Sequence, residues 1–179
     1  MIKIAVLVGS LQKKSYNKML ARNLERVAPE GVSFQYININ LPLFNQDLEA
    51  SYPVEVQEQK DIVMNADGVL FVTPEYNRSL PGVLKNAIDW ISRPYGTSAF
   101  VHKPAGVVSA GLHHVSGAIA QADLRHIAGF LDMKMLGQPE IHIAEAHTHF
   151  DENGVIDSDS EHRLKEYMSA FTKWVDDER

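Results

Sequence analysis

Gly68-Val69-Leu70-Phe71-Val72-Thr73-Pro74-Glu75-Tyr76-Asn77-Arg78-Ser79-Leu80-Pro81-Gly82-Val83-Leu84-Lys85-Asn86-Ala87-Ile88-Asp89-Trp90 decides the fold of this chain. Gly68 to Val72 is a short, nearly unbroken apolar run, the pattern of a strand buried on both faces. Pro81 stands where a helix begins without losing a hydrogen bond. Val83, Leu84, Ala87, Ile88 and Ile91 then recur at helical spacing and give a helix to about Ser92 one apolar face. Between strand and helix lies Pro74-Glu75-Tyr76-Asn77-Arg78, an acid, an aromatic ring, an amide and a base in one loop. Loops at the carboxyl ends of strands line the ligand crevice of an open α/β sheet.

The same alternation extends in both directions. Ile2 to Val8 is a second apolar run, ended by Gly9-Ser10. Tyr16 to Ala28 is helical, with Leu20, Leu24 and Val27 on one face and Ser15 at the N-cap. Val32 to Ile39 alternates apolar and polar, as a strand nearer an edge does. Leu41 to Tyr52 is irregular, and Pro53 to Asn65 is a weaker helix. Pro104 to Ala110 is the fourth strand, Ser116 to Leu131 a helix, and Ser160 to Asp176 the last helix. Lys134 to Ile143 carries a fifth strand, placed at an edge because Gly137 and Pro139 interrupt it. Five strands alternating with five helices predict an α/β fold: a five-stranded parallel sheet with helices on both faces. In the order 2-1-3-4-5, the loops after the first and third strands meet at the switch point. The 179 residues read as one domain.

Composition narrows the partners. A net charge of −6 speaks against general nucleic-acid binding, which needs a basic face. The absence of cysteine removes disulfides, thiolate metal sites and cysteine nucleophiles, and points to the cytoplasm. No apolar run is long enough to cross a bilayer.

Three loops carry the chemistry. Ser10-Leu11-Gln12-Lys13-Lys14-Ser15-Tyr16-Asn17 leaves a strand and enters a helix, where free N–H groups and the helix dipole favour an anion. Hydroxyls at Ser10 and Ser15 and the Asn17 amide add neutral donors for a phosphate; alternatively Ser15 only caps and the lysines are solvated. The loop is neither a P-loop nor a dinucleotide fingerprint, since Gly9 stands alone. In the loop after the third strand, Tyr76 offers a flat face to a ring system. Ser109-Ala110-Gly111-Leu112-His113-His114-Val115-Ser116-Gly117 follows the fourth strand, its glycines allowing close backbone approach. Adjacent histidines diverge and no third ligand stands at a metal-site spacing, so neither His113-His114 nor His147 with His149 is expected to hold a metal.

These residues resemble the flavodoxin-like NAD(P)H-dependent FMN reductases, a group that includes quinone, chromate and azo-dye reductases. Gly9 to Asn17 is similar to that family's phosphate loop. Thr73 to Asn77, with Pro81-Gly82 and Leu84 to Trp90, is similar to its most specific signature. The resemblance implies FMN as cofactor and NAD(P)H as co-substrate, with electrons passing to free flavin, quinones or other small acceptors in a ping-pong cycle. It implies that Ser10, Leu11, Gln12, Lys13, Lys14, Ser15, Tyr16 and Asn17 cradle the phosphate. Pro74, Glu75, Tyr76, Asn77 and Arg78 would hold the isoalloxazine, with Ser109 and Gly111 against it from the next strand. It implies a homodimer or homotetramer with the ring near the interface, where Trp90 and Leu112 are either interface or core. No side chain is needed as catalytic acid, base or nucleophile. The rival is an electron-carrier flavodoxin reduced by a partner protein.

Departures from the family pattern are Gln12 in place of arginine, Lys14 in place of glycine, Arg78 in place of an aromatic or small residue, and His113-His114 in the third loop. Arg78 is expected either to meet the 2′-phosphate of NADPH or an anionic acceptor, or to pair with a nearby carboxylate.

Overall fold

A computed structural model describes residues 1–179. Strands β1 (Ile2–Val8), β2 (Val32–Tyr36), β3 (Gly68–Thr73) and β4 (Pro104–Ala110) alternate with helices α1 (Tyr16–Val27), α2 (Val54–Asn65), α3 (Gly82–Ile91) and α4 (Ala118–Phe130). Helix α5 (Ser158–Glu178) closes the chain. The sheet is parallel, in the order 2-1-3-4-5 that the sequence predicts and that flavodoxin-like folds share.

The two faces of the sheet divide the apolar residues by alternation. Ile4, Val6, Val8, Leu70, Val72 and Val108 point to α1 and α5. Ala5, Leu7, Val69, Phe71, Ala105 and Val107 point to α3 and α4. Strands β1, β3 and β4 are therefore buried on both sides, which is why they read as continuous apolar runs. Fully burying each Val, Leu, Ile or Phe here contributes ~1.5–3 kcal/mol before the entropy of ordering is counted.

One expectation is corrected. The fifth strand is split: β5 (Lys134–Met135) pairs with the start of β4, and β6 (Ile141–Ile143) pairs with its end. Pro139 has no N–H to give a ladder, so the chain leaves the sheet between them. Trp90, for which the sequence leaves core and interface open, is fully buried within its own chain. Its indole N–H donates to Pro42 O at 2.7 Å, and Phe44 and Tyr52 meet the ring edge-on at 4.9 and 5.4 Å. The irregular segment before α2, which includes a 3₁₀ turn at Gln46–Ser51, folds over this tryptophan as a lid on the core.

Candidate active site

The loops after β1, β3 and β4 converge at the carboxyl edge of the sheet around a cleft of about 440 Å³, within the usual size of a small-molecule site. Gly9 makes the convergence possible. A Cβ there would lie 3.0 Å from Thr73 Oγ1 and 3.3 Å from Pro74 Cδ, so any side chain would crowd the first loop against the second.

The first loop is held by its own polar groups. Ser15 caps α1, its Oγ accepting from Asn17 N at 3.2 Å, and Ser10 Oγ accepts from Gln12 N at 3.3 Å. The backbone N–H groups of Lys13 and Lys14, in the turn before α1, and of Ser15 and Tyr16, at its start, donate to no group of the chain. The Asn17 amide is committed elsewhere. Its Nδ2 donates to Ala110 O at 2.9 Å, and its Oδ1 accepts from Ala110 N at 3.0 Å. A strand end leaves both backbone groups unpaired, and a buried amide satisfies both.

The second loop is a two-residue turn. Tyr76 and Ser79 exchange hydrogen bonds of 3.0 and 3.1 Å, and Asn77 and Arg78 both take positive φ, 51° and 61°. That is the primed turn which asparagine favours and which arginine tolerates at a cost. Tyr76 is about half exposed on its rim. Glu75 turns inward, where its Oε2 accepts from Ile119 N at 3.0 Å and Ala120 N at 3.4 Å. Its other oxygen meets Arg78 NH1 at 3.2 Å. Helix α4 begins after Gly117, at φ 83° and without a side-chain cap of its own, so Glu75 caps it from the neighbouring loop. Ser79 Oγ adds a second tie, 2.6 Å from Asp123 Oδ2.

The third loop forms the floor. Ser109 is fully buried beneath it, donating from Oγ to Ser116 O at 2.5 Å and accepting from Gln121 Nε2 at 2.8 Å. A Cβ on Gly117 would lie 2.6 Å from the Ser109 Cβ, which closes that position to any side chain. Ser116 is buried in the wall of the cleft, and its Oγ has no partner. A buried hydroxyl without a hydrogen bond is costly, and in a cleft wall it is a donor for a ligand. Together with the open N–H groups at α1, it makes the residues present fit a phosphorylated polar ring compound.

Of the residues singled out from sequence, Ser10, Gln12, Ser15, Tyr16, Asn17, Pro74, Glu75, Tyr76, Asn77, Arg78 and Gly111 line this cleft. Leu11 faces a second cleft on the far side of its loop, Lys13 and Lys14 are exposed outside both, and Ser109 lies under the floor. Ala110, Leu112, His113, Val115, Ser116 and Gly117 line the cleft as well, although the sequence singled out only Ser109 and Gly111 from that loop. The Ser116-Gly117 pair just before a helix was the available signal. His142 points elsewhere, to Ser109 Oγ at 3.3 Å and Gln121 Nε2 at 3.1 Å, and His149 pairs with Asp157 at 2.6 Å.

Residues 2–148 match the family model described as NADPH-dependent FMN reductase. The chain is 42% identical to a 2-hydroxy-1,4-benzoquinone reductase from Burkholderia over 99% of its own length and 98% of that protein. It is 37% identical to an NAD(P)H-dependent FMN reductase of Pseudomonas aeruginosa, covering 97% of this chain and 95% of the relative. Among solved structures, the flavoenzyme NAD(P)H:(acceptor) oxidoreductase of Paracoccus denitrificans superposes with a TM-score of 0.93 at 36% identity, each chain 99% covered. The chain belongs to the NADPH-dependent FMN reductase family. It is an FMN- and NAD(P)H-dependent oxidoreductase of the FMN reductase and quinone reductase type. No helix is long and apolar enough to cross a membrane.

Proposed function

We propose that this one-domain chain binds FMN in the cleft between its three loops and passes electrons from NAD(P)H to quinones, with free flavin as a further acceptor. The observation that carries the proposal is the cleft's donor set: open N–H groups at the start of α1, and the unpartnered Ser116 hydroxyl in the wall. The N–H groups of Ser15 and Tyr16 and the Ser10 and Ser15 hydroxyls hold the phosphate. The turn from Pro74 to Arg78 holds the ring, through the Tyr76 face and backbone groups. Glu75 acts from behind, by fixing that turn to α4. Gln12 replaces a charge with a neutral donor, so binding of the phosphate rests on the backbone and the dipole. The bound flavin supplies the redox chemistry, and the protein supplies binding and orientation.

Quinones are favoured as acceptors because two relatives, each 42% identical to this chain, are named for quinone reduction. A quinone that gains the two electrons and one proton of the hydride, and a second proton from solvent, leaves as a hydroquinone, and NAD(P)H leaves as NAD(P)⁺. One cleft serves both substrates, so they take turns in a ping-pong cycle. Leu112, Val115 and Ile119 remain exposed beside the mouth, an apolar rim suited to a second copy in a homodimer or homotetramer. The cysteine-free composition suits a cytoplasmic protein.

Initial rates with FMN-loaded protein, NADPH and 1,4-benzoquinone test the proposal. Parallel double-reciprocal lines are expected, and converging lines contradict the alternating cycle. An electron-carrier flavodoxin would leave NADPH unconsumed unless a partner reductase were added.

A further inference from the structure

Beneath the floor of the three-loop cleft lies a polar cluster built on Gln121 of α4. The Gln121 side chain is buried, and its Nε2 has two hydrogens for three neighbouring acceptors. It donates to Ser109 Oγ and to Ile141 O, both at 2.8 Å, and His142 Nδ1 stands 3.1 Å away. Ser109 Oγ lies 3.3 Å from the same ring nitrogen and gives its one hydrogen to Ser116 O at 2.5 Å. The Gln121 Oε1 is buried without a partner. Ile141 O decides which way the amide stands, since an oxygen in place of Nε2 would face that carbonyl at 2.8 Å.

The cluster touches the cleft through Ser116. Its carbonyl holds the Ser109 hydrogen, while its Oγ is the unpartnered donor in the cleft wall. Gly117 rests directly on Ser109, with no room for a Cβ between them. The cluster touches solvent through His142, whose side chain is 28% exposed. Histidine is the side chain that changes charge near neutral pH. A neutral ring with its hydrogen on Nε2 offers Nδ1 as an acceptor, which suits the Gln121 N–H. With both nitrogens protonated, Nδ1–H meets that N–H donor against donor. Two charges reach the ring from outside the cluster. Glu140 Oε2, 3.7 Å from Nε2, favours the added proton, and Arg125, 3.5 Å from the other Glu140 oxygen, opposes it. Ala118 and Ala122, on the same face of α4 as Gln121 and Arg125, bring no charge.

We propose that His142 is a proton-sensitive positioning residue for the FMN site, acting through Gln121 and Ser109 on the Ser116-Gly117 floor. Neutral His142 leaves the floor closed. Protonated His142 turns the Gln121 amide, so that the orphan Oε1 accepts from Nδ1–H. An oxygen in that place also accepts from the Ser109 hydroxyl, whose single hydrogen then leaves Ser116 O. Ile141 O loses its donor in the same step. Ser116 and Gly117 are thereby released from the strand beneath them, and the wall hydroxyl loses its fixed aim. The inference rests on the FMN site proposed above and adds a residue that touches neither the cofactor nor the cleft.

The test is FMN titration of the flavin-free full chain between about pH 8 and about pH 5.5, the range in which an imidazole changes charge, for wild type, His142→Asn and His142→Ala. Asparagine keeps an acceptor near the Nδ1 position and cannot take the proton; alanine removes both. The FMN phosphate itself takes up a proton in this range, so the ratio of variant to wild-type dissociation constants is the quantity read. On acidification the wild type should lose about fivefold more affinity than either variant, for one hydrogen bond released under the floor. A second readout is the titration of the His142 ring by NMR, its signal identified by its absence from the variants. Binding that favours the neutral ring must make the ring harder to protonate, so FMN should move this titration to lower pH. A ratio that stays constant across the range, as a merely structural role would give, overturns the proposal. So does a His142 titration that FMN leaves in place. A wild type that binds no FMN at about pH 8, where the ring is neutral, overturns the parent reading and this inference with it.

Discussion

Asn17 and Ala110 are joined by two reciprocal hydrogen bonds, of 2.9 and 3.0 Å, between the first turn of α1 and the last residue of β4. One side chain thereby sets the separation of the phosphate-side loop and the floor loop. Asn17→Ala should lower stability by about 2–3 kcal/mol, because it leaves a buried N–H and C=O unpaired. Urea denaturation gives that figure, and a loss below about 0.5 kcal/mol would show that water or a shifted backbone replaces the amide. FMN binding should weaken in the same variant, since both loops lose their common anchor.

Glu75 is predicted to act through α4 rather than on a reacting atom. Glu75→Ala removes a cap worth about 1 kcal/mol and frees the wall that carries Ser116. Glu75→Gln keeps one acceptor and should retain most of the stability and FMN affinity. The measurement is a pair of FMN titrations with a pair of urea curves. Equal collapse of kcat in both variants, with stability and FMN affinity intact, would point to a direct chemical role for the carboxylate.

Asp157 governs an acid-side loss of stability. Burial pushes its carboxyl up, but the Ser160 N–H, the His149 ring and the Ser160 hydroxyl outweigh burial and hold it below the usual carboxylate range. A depressed folded-state value gives stability that is fully present above the unfolded value of about 3.9 and is lost as pH falls through the folded one. Asparagine at an N-cap keeps the acceptor and removes the titration. Asp157→Asn should therefore flatten the fall in melting temperature below about pH 5. Identical acid limbs would remove Asp157 from the account.

Much of this was legible in the chain. Strands β1, β3 and β4 announced themselves as apolar runs because both sheet faces are covered, and Ser15 marked the start of α1. The turn from Pro74 to Arg78 was legible as a ligand loop by its place after a buried strand. What escaped was which polar group serves the fold. The Asn17 amide and the Glu75 carboxylate look like ligand donors in sequence, yet their partners lie 93 and 44 residues away, at a strand end and a helix start. Trp90 was undecided for the same reason, since its cover, from Pro42 to Tyr52, is irregular and has no periodicity to read. Arg78 lies in a strained turn against Glu75 and is mostly exposed, a pair worth little at the surface.

The central claim is that the three-loop cleft holds FMN by its phosphate. Titration of flavin-free protein with FMN and with riboflavin, read by quenching of flavin fluorescence, tests it most directly. The account predicts saturable binding of one FMN per chain and binding of riboflavin at least about tenfold weaker, the loss of charge-assisted bonds to the phosphate. In Ser116→Ala, FMN should bind about fivefold more weakly, for one neutral hydrogen bond, while stability is unchanged or slightly raised. Riboflavin bound as tightly as FMN, or FMN affinity untouched by Ser116→Ala and Ser15→Ala together, would contradict the account.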